Sequence, residues 1–123
     1  RFGMPHRVKT NPDLQRVIDE LKALSREHDA PIWRAVAERL ERPRKNWSEV
    51  NLSRVARHAA KGAQVVVPGV LLSSGSLLFP VTLAAFRASA AARKKVEDVG
   101  GVAMPLLEFA RAHRQGTGVQ ILG

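Results

Sequence analysis

The chain has no cysteine. Disulfides, zinc ribbons and thiol catalysis are thereby excluded, and a reducing compartment is compatible. It also lacks acids where they would be expected. From 50 to 96 there is no Asp or Glu, yet Arg54, Arg57, Lys61, Arg87, Arg93, Lys94 and Lys95 all fall in that window. A surface built only for solubility intersperses both signs. No signal peptide is visible in residues 1–10, which contain no apolar run. The first residue is Arg1 rather than Met, so the numbering is expected to begin after processing or truncation.

A long apolar helix is also lacking. Residues 62–86 carry no Asp, Glu, Lys or Arg, but Pro68, Gly69, Ser73, Ser74, Gly75, Ser76 and Pro80 interrupt them. That pattern favours strands and turns over a membrane span. Catalytic signatures are equally scarce. His6, His28, His58 and His113 are scattered without metal-ligand spacing, and there is no HExxH, Walker loop, GxGxxG or GxSxG. Ser73, Ser74 and Ser76 around Gly75 read as a turn rather than a nucleophile elbow. Neither a catalytic residue nor a metal or cofactor site is expected.

What is present is positive charge. The 123 residues carry a net charge of +9 and a pI near 11.3, with 45% hydrophobic and 25% charged residues. These values describe one globular domain whose partner is a polyanion, nucleic acid first and an anionic membrane second. The charge concentrates in RPRKNWSEVNLSRVARHAAK, residues 42–61, where Arg42, Arg44, Lys45, Arg54, Arg57 and Lys61 face one acid, Glu49. Internal ion pairing cannot absorb it.

In chain order, residues 1–9 read as a basic arm containing Arg7 and Lys9, and 10–123 as the single domain. Asn11 and Pro12 start a first helix with Leu14, Val17, Ile18, Leu21 and Leu24 on one stripe. Pro31 starts a second, with Trp33, Val36, Ala37 and Leu40 facing the core and Pro43 stopping it near Arg42. A basic loop follows at 42–47. Ser48 is then expected to cap a third helix, with Glu49 in its first turn and Trp47 stapled to Leu52. The competing reading has Trp47 stacked on an unpaired base. Leu52, Val55, Ala56 and Ala59 would be the buried face, and Asn51, Arg54, His58 and Lys61, with Arg57 beside them, the phosphate-tracking face.

Strands are expected at 64–67, 70–73 and 81–89, the first two separated by a Pro68–Gly69 turn. Ser89 caps a fourth helix that stops at Gly100 and Gly101. In it Arg93 pairs with Glu97 and Lys94 with Asp98, leaving Lys95 without a partner. Pro105 opens a fifth helix that carries Leu106, Phe109 and Ala110 and ends in Arg111 and Arg114, before a last strand at 119–122. The fold class is therefore α/β. Helices two and three do not match a helix-turn-helix, whose turn is shorter than 42–47.

Several runs, in order, resemble a known family: WRAVAERLERPRKNWSEVNLSRVARHA, VVVPGVLLSSGSL, VTLAAFRASAAARKKVEDVGG and GTGVQILG. Over about 9–122 the chain resembles the archaeal form of the eighteen-e family of large-subunit ribosomal proteins, related in fold to bacterial large-subunit protein fifteen. Eukaryotic members carry a basic C-terminal extension, whereas this chain stops at Gly123. A Lys common in the family after the Pro68–Gly69 pair is Val70 here. The resemblance implies N-terminal helices followed by an irregular strand, strand, helix superhelical core. It implies a structural constituent of the cytoplasmic ribosome's large subunit, with no catalysis and no cofactor.

Its partners would be large-subunit ribosomal RNA and neighbouring ribosomal proteins, with no membrane and no small-molecule substrate. The charge reading supplies the expected RNA-binding residues: Arg7, Lys9, Arg42, Arg44, Lys45, Asn46, Trp47, Asn51, Arg54, Arg57, His58, Lys61, Lys95, Arg111 and Arg114. The alternative is a free-standing nucleic-acid-binding protein or regulator.

Overall fold

The computed structural model describes residues 12–123. Arg7, Lys9 and the expected cap Asn11 lie outside the described residues. Helix α1, Pro12–His28, places Val17, Ile18, Leu21 and Leu24 in the core as their spacing requires. Asp29 makes the turn at φ +51°, a left-handed conformation that Asp tolerates better than most residues. Helix α2, Pro31–Leu40, then packs on α1 and buries Trp33, Val36, Ala37 and Leu40. One 3-10 turn, Arg44–Asn46, follows Pro43.

The expected third helix starts three residues late. Ser48–Asn51 is a strand, β1, and α3 is only Leu52–His58. Strand β1 pairs in parallel with Gly69–Leu72, placing Ser48 opposite Gly69. A Cβ on Gly69 would collide with the Ser48 carbonyl, so the glycine is what lets the two backbones meet. A side-chain cap contributes about 1 kcal/mol; a ladder that also buries Val50 outweighs it. Glu49 is accordingly an exposed strand residue rather than a helix-dipole partner.

The Pro68–Gly69 turn is also absent. Strand β2 runs continuously from Gln64 to Leu72. Proline has no N–H to donate, and the register against β3, Thr82–Ala88, shifts between Val67 and Val70 to pass it. Strand β4, Val102–Pro105, pairs with β3, and Pro105 is the N-cap of α5, Leu106–Ala112, rather than its first residue. Strand β5, Val119–Ile121, pairs with Gln64–Val66. Strands β5 and β1 therefore lie end to end along the edge of β2 that faces away from β3. Between β3 and β4, α4 spans Ala90–Asp98, and the Ser89 hydroxyl accepts the Ala92 N–H at 3.1 Å, as expected.

All strand pairs among the described residues are parallel, and helices cover both faces of the sheet. Val66 and Ala84 pack with α1, α2 and α5 on one face. Val65, Val67, Leu83 and Ala85 pack with α3 and α4 on the other. That two-sided burial explains the uninterrupted valine run, since a parallel sheet has no solvent face to demand polar alternation. The strand, strand, helix order occurs as β2, β3 and α4. The uncharged stretch 62–86 supplies the centre of this sheet, and no described helix is long and apolar enough to cross a membrane.

Candidate nucleic-acid interface

The sheet's two-sided packing decides how the basic loop is displayed. Trp47 belongs to the core beside α1, α2 and α5, whereas Leu52 belongs to the opposite core, so the expected staple between them is not made. Trp47 is only 8% exposed. Its ring meets Phe86 edge-on at 5.4 Å, and its Nε1 donates to the Arg42 carbonyl at 3.0 Å. A ring so enclosed has no free face for a base. It anchors the loop instead, with the Arg44 guanidinium 5.1 Å over it.

Around this anchor Arg42, Arg44, Lys45 and Asn46 are exposed. Helix α3 continues the display with Arg54, Arg57 and His58, and Lys61 follows, all exposed, while Leu52 and Val55 are buried. Among the described residues none of these cations is in an ion pair with a carboxylate. Several cations elsewhere are paired, such as Lys22 with Glu41 at 2.7 Å and Arg34 with Glu38 at 3.1 Å. Asn51 departs from the expected polar face. It ends β1, half-buried, and its Oδ1 accepts the Ser74 N–H at 3.1 Å.

The three more distant residues expected to hold RNA are engaged within the chain. Arg111 clasps Glu20 with two bonds, Nε to Oε2 at 2.5 Å and Nη2 to Oε1 at 2.8 Å. The hydrogen bonds from Arg111 hold the Glu20 carboxyl below its ordinary pKa of 4.5. Arg114 Nε donates to the Arg111 carbonyl at 3.1 Å. Lys95, expected to stand alone, donates to the carbonyls of Ser73 at 2.9 Å and Gly75 at 3.0 Å. These acceptors are neutral, so the lysine keeps its charge while fixing the loop after β2.

The Arg93–Glu97 pair expected on α4 is not formed among the described ion pairs, whereas Lys94–Asp98 is, at 3.4 Å. Arg93 and Arg87 are both exposed cations outside the expected RNA-binding set. A signal for them exists in the sequence, since both lie in the acid-free window. His113 is a structural residue: it stacks on Phe109 at 4.1 Å, its Nδ1 lies 3.1 Å from the Phe109 carbonyl, and its Nε2 lies 3.0 Å from the Gln64 amide. With Nδ1 donating and Nε2 accepting, both nitrogens are used. Among the described residues no group of three or more His, Asp or Glu could hold a metal ion.

Comparison with known proteins gives a consistent picture. The family described as ribosomal protein 60S L18 and 50S L18e matches residues 5–123. The large ribosomal subunit protein eL18 of Methanoregula boonei is 45% identical over 114 residues, covering 93% of this chain and 94% of that protein. The protein of the same name from Archaeoglobus fulgidus is 41% identical, covering 93% and 97%. That from Halobacterium salinarum is 42% identical over the same shares.

Proposed function

The chain belongs to the family of ribosomal proteins 60S L18 and 50S L18e, and from that membership we infer that it is a structural constituent of the large ribosomal subunit, bound to large-subunit ribosomal RNA. The family is one of ribosomal proteins rather than enzymes, and the role of this chain is adhesive. Neighbouring ribosomal proteins are its further partners.

The contact surface proposed is the loop 42–47 together with α3 and Lys61. One observation carries it: Arg42, Arg44, Lys45, Arg54, Arg57 and Lys61 are all exposed and none is paired with a carboxylate among the described residues. RNA phosphates supply the missing anions. Arginine suits the task because its planar fork bridges two phosphate oxygens, which an ammonium cannot do. Sequence readout is not required, since an A-form major groove is too narrow for side chains and recognition runs through shape and backbone. Arg7 and Lys9 are further RNA-binding cations in this reading. Lys95 contributes by holding a loop, with its charge still available.

Sedimentation tests the assignment. The protein stays with large subunits through a salt wash; recovery in light fractions would identify a free-standing nucleic-acid-binding protein instead.

A further inference from the structure

A groove of about 320 Å³ opens where β2, β3 and β4 end. Its apolar lining includes Leu71, Phe86, Met104 and Pro105, and its charged walls are Arg87 and Arg93. No acid lines it, and neither arginine is in an ion pair among the described residues. The Arg87 guanidinium lies 5.5 Å over the Phe86 ring. This is the carboxyl end of a parallel sheet, where open α/β folds commonly place ligands, and its volume falls within the range of small-molecule sites.

The combination differs from the loop and α3. Those present a row of exposed cations, which fits a backbone passing by. Here two guanidinium groups rim an apolar recess, and the complementary ligand has a flat apolar part joined to a negative one. We propose that the groove holds a single unpaired nucleotide of RNA, its base in the recess and its phosphate between Arg87 and Arg93. The planar Arg87 group, resting over the Phe86 ring, offers a stacking surface that accepts any base. The proposal rests on the RNA-binding reading above and gives it a specific pocket, separate from the phosphate-tracking face.

The test is a titration of the isotope-labelled full chain with adenosine 5′-monophosphate, followed through its backbone amide resonances. In parallel arms the probes are inorganic phosphate and an acidic peptide. The nucleotide is expected to move the amides of Arg87, Ala88, Arg93 and Met104 while leaving α2 unchanged. Arg87→Ala and Arg93→Ala each raise its Kd about tenfold, as expected for removal of one charge-assisted hydrogen bond, with the remaining spectrum unchanged. Equal responses to phosphate and nucleotide would mean a plain anion site and overturn the proposal. A stronger response to the peptide would overturn it too and assign the groove to a protein partner. So would the absence of any response at about 10 mM nucleotide, a concentration well above a millimolar Kd. If the protein co-sediments with large subunits yet the groove ignores nucleotide, only the pocket proposal falls. If the groove binds nucleotide while the protein is recovered in light fractions, only the ribosomal assignment falls.

Discussion

The guanidinium of Arg44 stands 5.1 Å over the ring of Trp47, and that ring is itself held edge-on by Phe86 at 5.4 Å. The most basic loop of the molecule is thus pinned to the hydrophobic core by one side chain. Pinning removes much of the loop's freedom in advance, so on the proposed reading less ordering entropy is lost when RNA binds.

Trp47→Ala is therefore expected to destabilise the fold by about 3–5 kcal/mol, the usual loss for a large buried aromatic, as read by urea denaturation. Trp47→Phe keeps much of the packing and loses the Nε1 bond to the Arg42 carbonyl, at about 1 kcal/mol. Weakened RNA binding with unchanged stability in Trp47→Ala would instead mark the ring as a base platform.

Arg54→Ala combined with Arg57→Ala should leave stability unchanged, because both side chains are exposed. RNA affinity should fall, and the slope of log affinity against log salt should flatten by roughly 0.7–0.9 for each phosphate no longer neutralised, by analogy with DNA. Filter binding across a salt series measures both. An unchanged slope removes α3 from the interface.

Gly69→Ala places a methyl group against the Ser48 carbonyl. Backbone cannot step aside as a flexible side chain would, so β1 must separate from β2, at a cost of about 1–3 kcal/mol or more. The amides of β1 should lose protection from hydrogen exchange first. Full protection in the variant would show that the pairing does not depend on this close approach.

Lys95→Met removes the two bonds to the Ser73 and Gly75 carbonyls. The same loop accepts the Ser53 N–H through the Ser74 carbonyl and lends the Ser74 N–H to Asn51. Exchange at the Ser53 and Ser74 amides is expected to quicken while α4 stays protected. Unaltered exchange would leave Lys95 free for an outside anion.

The Glu20–Arg111 pair has a defined pH dependence. Hydrogen bonding to Arg111 lowers the Glu20 pKa below 4.5 and raises that of Arg111. Stability from a depressed carboxylate is complete above its unfolded pKa and is lost as pH falls through the folded value. The melting temperature of wild type should exceed that of Glu20→Gln at neutral pH by a small margin, as both groups are partly exposed. The margin should shrink as the solution is acidified below pH 4.5. A gap that is constant with pH would show the carboxylate charge to be irrelevant.

Elements set by local patterns can be read directly. The stripes of α1 and α2, the Ser89 cap of α4 and the strand near 82–88 each depend on spacing or on one neighbouring residue. The region 48–51 misleads because Ser48 and Glu49 form a good local helix start, whereas its true partner, 69–72, lies about twenty positions away. Residues 68–69 mislead for a related reason. Pro and Gly usually make a turn, but here Pro68 sits at a register shift and Gly69 admits a second backbone.

The charge on this protein, the long window without acids, the missing cysteine and the helical stripes are properties of the chain alone, because composition and short-range periodicity do not depend on folding. Which cations remain free was decided only in three dimensions. Arg111 meets Glu20 across 91 positions, Lys95 closes on carbonyls 20 and 22 positions away, and Arg93 makes no ion pair with the glutamate one turn on. Coulomb attraction acts through distance in space, and distance in space is what the packing of α1 on α5 and of helices on the sheet creates.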